Sequence, residues 1–285
     1  MSRSRRSDLQ RFAHLRGSLP MQWTTAPNAD RIGERFTKEG YVLLGRVLSD
    51  EGLADAQRQM DRMLDELHPS LQPDEFYSAH QQEPWLLDLC RAPDLVDAVA
   101  QAIGPDIVLW STHLICKRPR TGRAIPWHQD GTNWNLGGRF ASIWLALDDL
   151  DDENGTMYVL PRYHRQSMPR RPTGEDFFDE EIEPSALPAD VDEQEVGYVF
   201  EAGGAAIHDE RIPHRSPPNR SPDRWRRVLV LRYLSADGHM AVKQYVNYRT
   251  TEMFDRRLFL VRGDAGNHPL VEDAATAFNA MKAER

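Results

Sequence analysis

The chain has 285 residues, 28% of them charged, and a formal net charge of −9. That length holds one large core or at most two small ones, and the acidic balance argues against nucleic acid or an anionic membrane surface as a partner. Cys90 and Cys116 are the two cysteines and form neither a disulfide framework nor a metal-like spacing. No apolar run approaches the ~18 residues of a membrane span, so a cytoplasmic protein with two reduced, buried thiols is expected.

The chain opens with Arg3, Arg5, Arg6, Arg11 and Arg16 but lacks the apolar stretch of a secretory signal. Residues 1–25 are therefore expected to be a flexible basic arm, and 26–285 a single domain. Asp30 to Thr37 reads as a short helix ending before Gly40, and Tyr41 to Leu44 as a strand. Ser49 is a good N-cap, with Asp50 and Glu51 in the first turn, where acids favour the helix dipole. Leu53, Met60, Met63, Leu64 and Leu67 then recur at helical spacing, a core-facing stripe. A second helix is expected from Asp94 to Ile103, stopped by Gly104-Pro105.

From Ile107 the texture changes. Ile107–Trp110, Ser142–Leu147, Thr156–Leu160, Gly197–Phe200, Gly204–Ile207 and Val228–Tyr233 read as short strands separated by turn residues. Asn154-Gly155 reads as a hairpin turn. Helices do not alternate with these strands, which argues against a doubly wound α/β fold. The expectation is a mainly β protein with flanking helices: a double-sheet jelly roll or barrel, with the N-terminal helices on one sheet. Residues 165–196 carry ten acids and no clear period. They read as an irregular insert, either a solvated loop or a lid.

The chemistry concentrates in Trp127-His128-Gln129-Asp130. On a strand or its extended edge, His128 and Asp130 point to one face. A third ligand from His214 would complete a 2-His-1-carboxylate set, the pattern of non-haem Fe(II) oxygenases with open coordination positions. His208 is the rival for His214, but near the end of an apolar strand it reads as a core histidine. His113 and His164 read as structural or surface residues. Downstream, Arg226-Arg227 opens an apolar run. An arginine entering a buried strand needs an anion, and a planar guanidinium suits a carboxylate. A keto-diacid such as 2-oxoglutarate would supply one. Trp134, Asn135 and Trp144 flank the motif, either as core aromatics and a turn amide or as the substrate-binding wall.

These residues resemble the phytanoyl-CoA dioxygenase family of Fe(II)/2-oxoglutarate-dependent oxygenases from about Arg35 to about Tyr233. Four stretches carry the resemblance: Glu39–Leu43; Pro126–Gly131; Leu145–Asp149 through Glu153–Met157; and His214–Arg227. It implies a double-stranded β-helix (cupin-like) core. It also implies iron held by His128, Asp130 and His214, and 2-oxoglutarate bound by Ser216 and by Arg226 or Arg227, with Lys117 facing the pocket. The implied activity is hydroxylation of an unactivated C–H of a small molecule by O2, with release of succinate and CO2. Desaturation, ring closure or epimerisation would use the same parts. Related halogenases carry a small residue at the carboxylate position, so Asp130 points to an oxygenase.

The chain departs from the family pattern at three places. Arg215 follows the distal histidine where Gly is usual, Trp225 lengthens the His-to-Arg spacing by one, and Pro161-Arg162-Tyr163-His164 replaces Pro-Gly-Ser-His. From other classes, a non-catalytic cupin-like binding protein or a three-ligand zinc hydrolase stays open. The substrate and the oligomeric state are not indicated.

Overall fold

The computed structural model describes residues 31–130, 137–175, 177–238, 243–266 and 270–283. The basic arm, Trp134 and Asn135 lie outside the described residues. Helix α1 (Ile32–Glu39) ends at Gly40, whose φ of 83° lets its N–H cap the carbonyl of Phe36. A side chain there would also collide with the His164 ring, since a Cβ would lie 2.5 Å from Nδ1. Strand β1 (Tyr41–Arg46) follows, then α2 (Asp50–Asp65), where Ser49 Oγ accepts the Gly52 N–H as expected.

Strand β2 (Phe76–Tyr77), α3 (Pro84–Cys90) and α4 (Pro93–Ile103) complete the N-terminal part. The β region comprises β3 (Ile107–Lys117), β4 (Ile125–His128), β5 (Phe140–Ala146), β6 (Tyr158–Val159), β7 (Arg170–Glu175) and β8 (Phe178–Ile182). After the one-turn helix α5 (Val191–Gln194) come β9 (Val196–Gly197), β10 (Gly204–His208), β11 (His214–Ser216) and β12 (Arg226–Ser235). The C-terminal part adds β13 (Gln244–Val246), β14 (Met253–Asp255), β15 (Leu258–Arg262), β16 (Val271–Asp273) and α6 (Ala274–Ala283).

Two sheets form the jelly roll. The larger runs β1-β10-β5-β12-β3-β15-β16, with β2 on β3, and the smaller runs β4-β11-β6-β9. Alternation along the strands divides the core. Leu229, Leu231 and Tyr233 of β12, with Ile143 and Leu145 of β5, face outward and bury Met60, Met63, Leu95 and Val99 of the helices. Val228, Val230, Trp144 and Ala206 face inward, toward Met157 and Val159 of the smaller sheet. The N-terminal helices thus cover one sheet, as the sequence suggests.

The differences from the sequence reading are local. Strands β6 and β9 are two residues each, shorter than expected, because only that much of each pairs within the small sheet. The insert is not irregular: β7 and β8 form an antiparallel hairpin. Its alternation is hidden because Arg170 and Arg171 pair with Glu180 and Glu181 rather than with apolar partners. Helix α3 and everything after Ser235 went unread, α3 because seven residues show too little periodicity. No described helix is long and apolar enough to cross a membrane, and both cysteines are buried and free.

Glu83 anchors the C-terminal part to the N-terminal one. It is fully buried and accepts from Arg62 at 2.5 Å, from Tyr248 Oη at 2.8 Å and from Arg249. Removing one member of a buried ion pair strands the rest. Glu83→Ala is expected to lower unfolding free energy by about 3 kcal/mol, near the bottom of the range for buried pairs because both arginines keep some solvent. Denaturant unfolding measures this, and a loss below about 1 kcal/mol would assign the anchoring elsewhere.

Candidate metal centre

Strand pairing builds the centre. In the antiparallel β4–β11 pair, His128 and His214 are direct cross-strand partners, so their side chains lie on the same face. Their ring centroids are 3.9 Å apart. Asp130 follows β4 by two residues and brings Oδ1 to 3.7 Å from His128 Nε2. One ligand atom from each of the three falls within 4.8 Å of the others. Two ligand atoms each about 2.1 Å from a common ion lie at most about 4.2 Å apart, so only small side-chain adjustments would be needed to bind one ion.

The backbone sets the tautomers. His128 Nδ1 donates to the Pro126 carbonyl and His214 Nδ1 to the Ile212 carbonyl, each at 2.9 Å. A carbonyl only accepts, so Nδ1 carries the hydrogen and Nε2 keeps its lone pair for a ligand. Burial, reinforced by His214, pulls the His128 imidazole down to about 3. Burial likewise lowers His214. Both rings are therefore neutral and able to bind a cation. Burial would raise Asp130, but the Arg232 guanidinium holds it well below the usual carboxylate range. Its Oδ2 accepts from Arg232 Nη1 at 2.6 Å.

The three donors open onto a cavity of about 390 Å³ between the two sheets. Arg226 and Lys117 also line it and are partners across the β12–β3 pair. Arg226 is 2% exposed, and its Nε and Nη2 have no hydrogen-bond partner. Burial pulls this guanidinium down to about 10, still charged at neutral pH. Lys117 donates to Ser216 Oγ at 2.7 Å and to the Pro217 carbonyl at 2.6 Å. Burial and then Arg226 push its ammonium well below its ordinary value. A buried guanidinium with unmet nitrogens, beside the buried Lys117 amine, fits a carboxylate.

Of the residues singled out in the sequence, His128, Asp130, His214, Lys117, Ser216, Arg226 and Trp144 all line this cavity. Arg227 does not. One residue along β12 it points the other way, donating to Asp148 at 2.6 Å and pairing with Asp61. His208 lines the cavity with Nδ1 unpartnered, but its ring is 6.1 Å from that of His214 and it is not among the three clustered ligands. His113 also lines the cavity, its Nε2 donating to the Asp74 carbonyl at 2.7 Å. His164 is buried beside Gly40, away from this cavity.

Sequence reasoning missed three contributors. Arg232 reads as one more strand residue, yet it sits on the inner face and contacts Asp130 and Glu210. Its spacing from Arg226, six residues on the same strand, is a signal that it shares that face. Phe178, in the insert, meets the His128 ring edge-on at 4.7 Å. Arg215, one of the departures from the family pattern, is held by Glu195 at 2.8 Å and lies over the Tyr158 ring at 4.6 Å.

The model of the phytanoyl-CoA dioxygenase family matches residues 36–228. L-Proline trans-4-hydroxylase of Streptomyces griseoviridis is 29% identical over 45% of this chain, a match that spans 52% of that enzyme, about half its length. Ectoine dioxygenase of Nocardia farcinica is 25% identical over 66% of this chain and 72% of its own. Among solved structures, EvdO2 of Micromonospora carbonacea var. aurantiaca complexed with 2-oxoglutarate superposes with a TM-score of 0.60. It is 25% identical, over 78% of this chain and 96% of that one.

The buried imidazoles set a pH dependence. Burial lowers His208 to about 3 and His113 to about 4, beside His128 at about 3. As pH falls through about 6.5 the unfolded chain takes up protons on these rings while the folded chain does not. Protons therefore favour unfolding, and stability present above about pH 6.5 is lost progressively below it. The metal-free protein is expected to melt several degrees lower at about pH 5 than at about pH 7.5, with His208→Gln narrowing the gap. Equal melting temperatures would mean that the rings are protonated in place.

Proposed function

The chain belongs to the phytanoyl-CoA dioxygenase family, and from that premise we propose that it is an Fe(II)/2-oxoglutarate-dependent dioxygenase acting on a small molecule. The observation that carries this reading is the pairing of two features in one cavity. A three-donor cluster faces open space, and a buried guanidinium there has unmet nitrogens. A purely structural metal site fills its coordination shell with protein ligands and has no use for such a cation.

In this reading Nε2 of His128, Nε2 of His214 and a carboxylate oxygen of Asp130 hold the iron. Arg226 receives the far carboxylate of 2-oxoglutarate, beside Ser216 and Lys117. Iron bound there, with 2-oxoglutarate and dioxygen, supplies hydroxylation of an unactivated C–H, with succinate and CO2 as the other products. The chain's own contribution is geometry and exclusion of water. Trp144, Val230 and Met157 give the cavity a dry middle. The β7–β8 hairpin acts as its cover, with Phe178 against His128 and Phe177 over Arg123 at 4.2 Å. Trp144 serves as wall rather than as a specific substrate contact, since it is 1% exposed. A secondary metabolite with apolar surface suits such a site.

Metal-free protein titrated anaerobically with Fe(II) and then 2-oxoglutarate is expected to develop a weak visible charge-transfer band that needs both additions. No band, with zinc tightly retained, would favour a binding protein or a zinc hydrolase. His128→Ala and His214→Ala are each expected to abolish 2-oxoglutarate turnover, measured as succinate release. Arg226→Met is expected to weaken 2-oxoglutarate binding at least roughly tenfold, the loss of a charged hydrogen-bond partner. Arg227→Met, on the opposite face, should leave it within about threefold.

A further inference from the structure

We propose that Arg232 and Glu210 form a positioning pair that fixes Asp130 for one-oxygen coordination, an inference that rests on the metal-site reading above. Arg232 extends inward from the middle of the large sheet, where it is the cross-strand partner of Ser142 on β5. Its Nη1 lies 2.6 Å from Asp130 Oδ2 and 2.6 Å from Glu210 Oε2. Glu210 is 2% exposed, and its other oxygen accepts from Ser142 Oγ. The carboxylate that orients Arg232 is thus itself tied to the neighbouring strand. The guanidinium also lies over the Trp110 ring, 5.7 Å from its centroid.

The geometry divides the work between the two oxygens of Asp130. Oδ2 is taken by Arg232, and Oδ1 faces His128 Nε2 at 3.7 Å. A carboxylate free to rotate can offer either oxygen or both. One with Oδ2 held by a charge-assisted hydrogen bond offers Oδ1 alone. The strand edge makes this necessary. Asp130 lies beyond the end of β4, outside the ladder that places the two histidines. Without Arg232, Oδ2 of Asp130 would lose the charge-assisted hydrogen bond that fixes which of its oxygens faces the histidines. Arg232 is therefore a positioning residue that acts through Asp130.

The test is metal binding without cosubstrate, read by anaerobic calorimetry with Co(II) as the probe. Arg232→Met is expected to raise the Co(II) dissociation constant at least roughly tenfold, the usual effect of losing an outer-sphere partner. The Co(II) visible spectrum should change shape as Asp130 loses its fixed orientation. Arg232→Lys keeps the charge and is expected to recover part of the affinity. Glu210→Gln, which leaves Arg232 in place, guards against a variant that fails to fold and should show a smaller loss in the same direction.

Absence of Co(II) binding by the unaltered protein would sink the metal-site reading itself. Binding by the unaltered protein, with equal or tighter binding and an unchanged spectrum in folded Arg232→Met, would overturn this inference alone. If Arg232→Met does not fold, wild-type affinity in both Arg232→Lys and Glu210→Gln would overturn it equally.

Discussion

The register between β4 and β11 is the constraint on which the site depends. Pairing His214 with His128 places two imidazoles on one face at close range, and the carbonyls of Pro126 and Ile212 then select the tautomer of each. A slip of one residue would send one ring to the opposite face of the small sheet. The ladder is short, and it shifts register between His214 and Ser216. Its alignment is reinforced from the other edge, where β6 pairs Val159 with His214. Burial of Val159 in the inner core therefore helps hold the register of a candidate ligand.

Strand β12 does for the larger sheet what that register does for the smaller one. Its inward residues run from Arg226 through Val228 and Val230 to Arg232, a span of roughly 20 Å at the usual strand rise. The outward residues between them bury the helices. One strand thus carries a cation at each end of the inner face and an apolar stretch between. The difference between Arg226 and Arg227 follows from this alternation. Arg226 enters the cavity with nitrogens unmet, whereas Arg227 is matched by Asp148 and Asp61.

Much of this was legible in the sequence, for identifiable reasons. The His-x-Asp spacing, the distal histidine and the arginine before an apolar run are local patterns, and strand geometry turns them into a shared face. Strands β5 and β12, and the first part of β3, were legible because each is rich in branched or aromatic residues. What could not be read depends on long-range pairing. Arg232 gains its role from Asp130 and Glu210, 102 and 22 residues away. Phe178 gains its place from a hairpin held by Arg–Glu pairs, a pattern that resembles a solvated loop in sequence. The choice between Arg226 and Arg227 needed the strand's phase, which a one-residue insertion such as Trp225 leaves open.

Charge pairing around the cavity gives these details a common consequence. Arg123 is held by Asp74, Arg215 by Glu195, and Arg232 by Asp130 and Glu210. Lys117 spends its donors on Ser216 and Pro217. Among the described lining residues, Arg226 is the guanidinium with unmet nitrogens. A buried cation in that condition is costly until an anion arrives, so an entering dicarboxylate gains most by placing one end there. Trp144, Val230 and Met157 make part of the wall apolar. In the proposed reading, this uncompensated charge at Arg226 is what would orient a bound keto-diacid, with its far carboxylate at the guanidinium and its keto-acid end toward His128, Asp130 and His214.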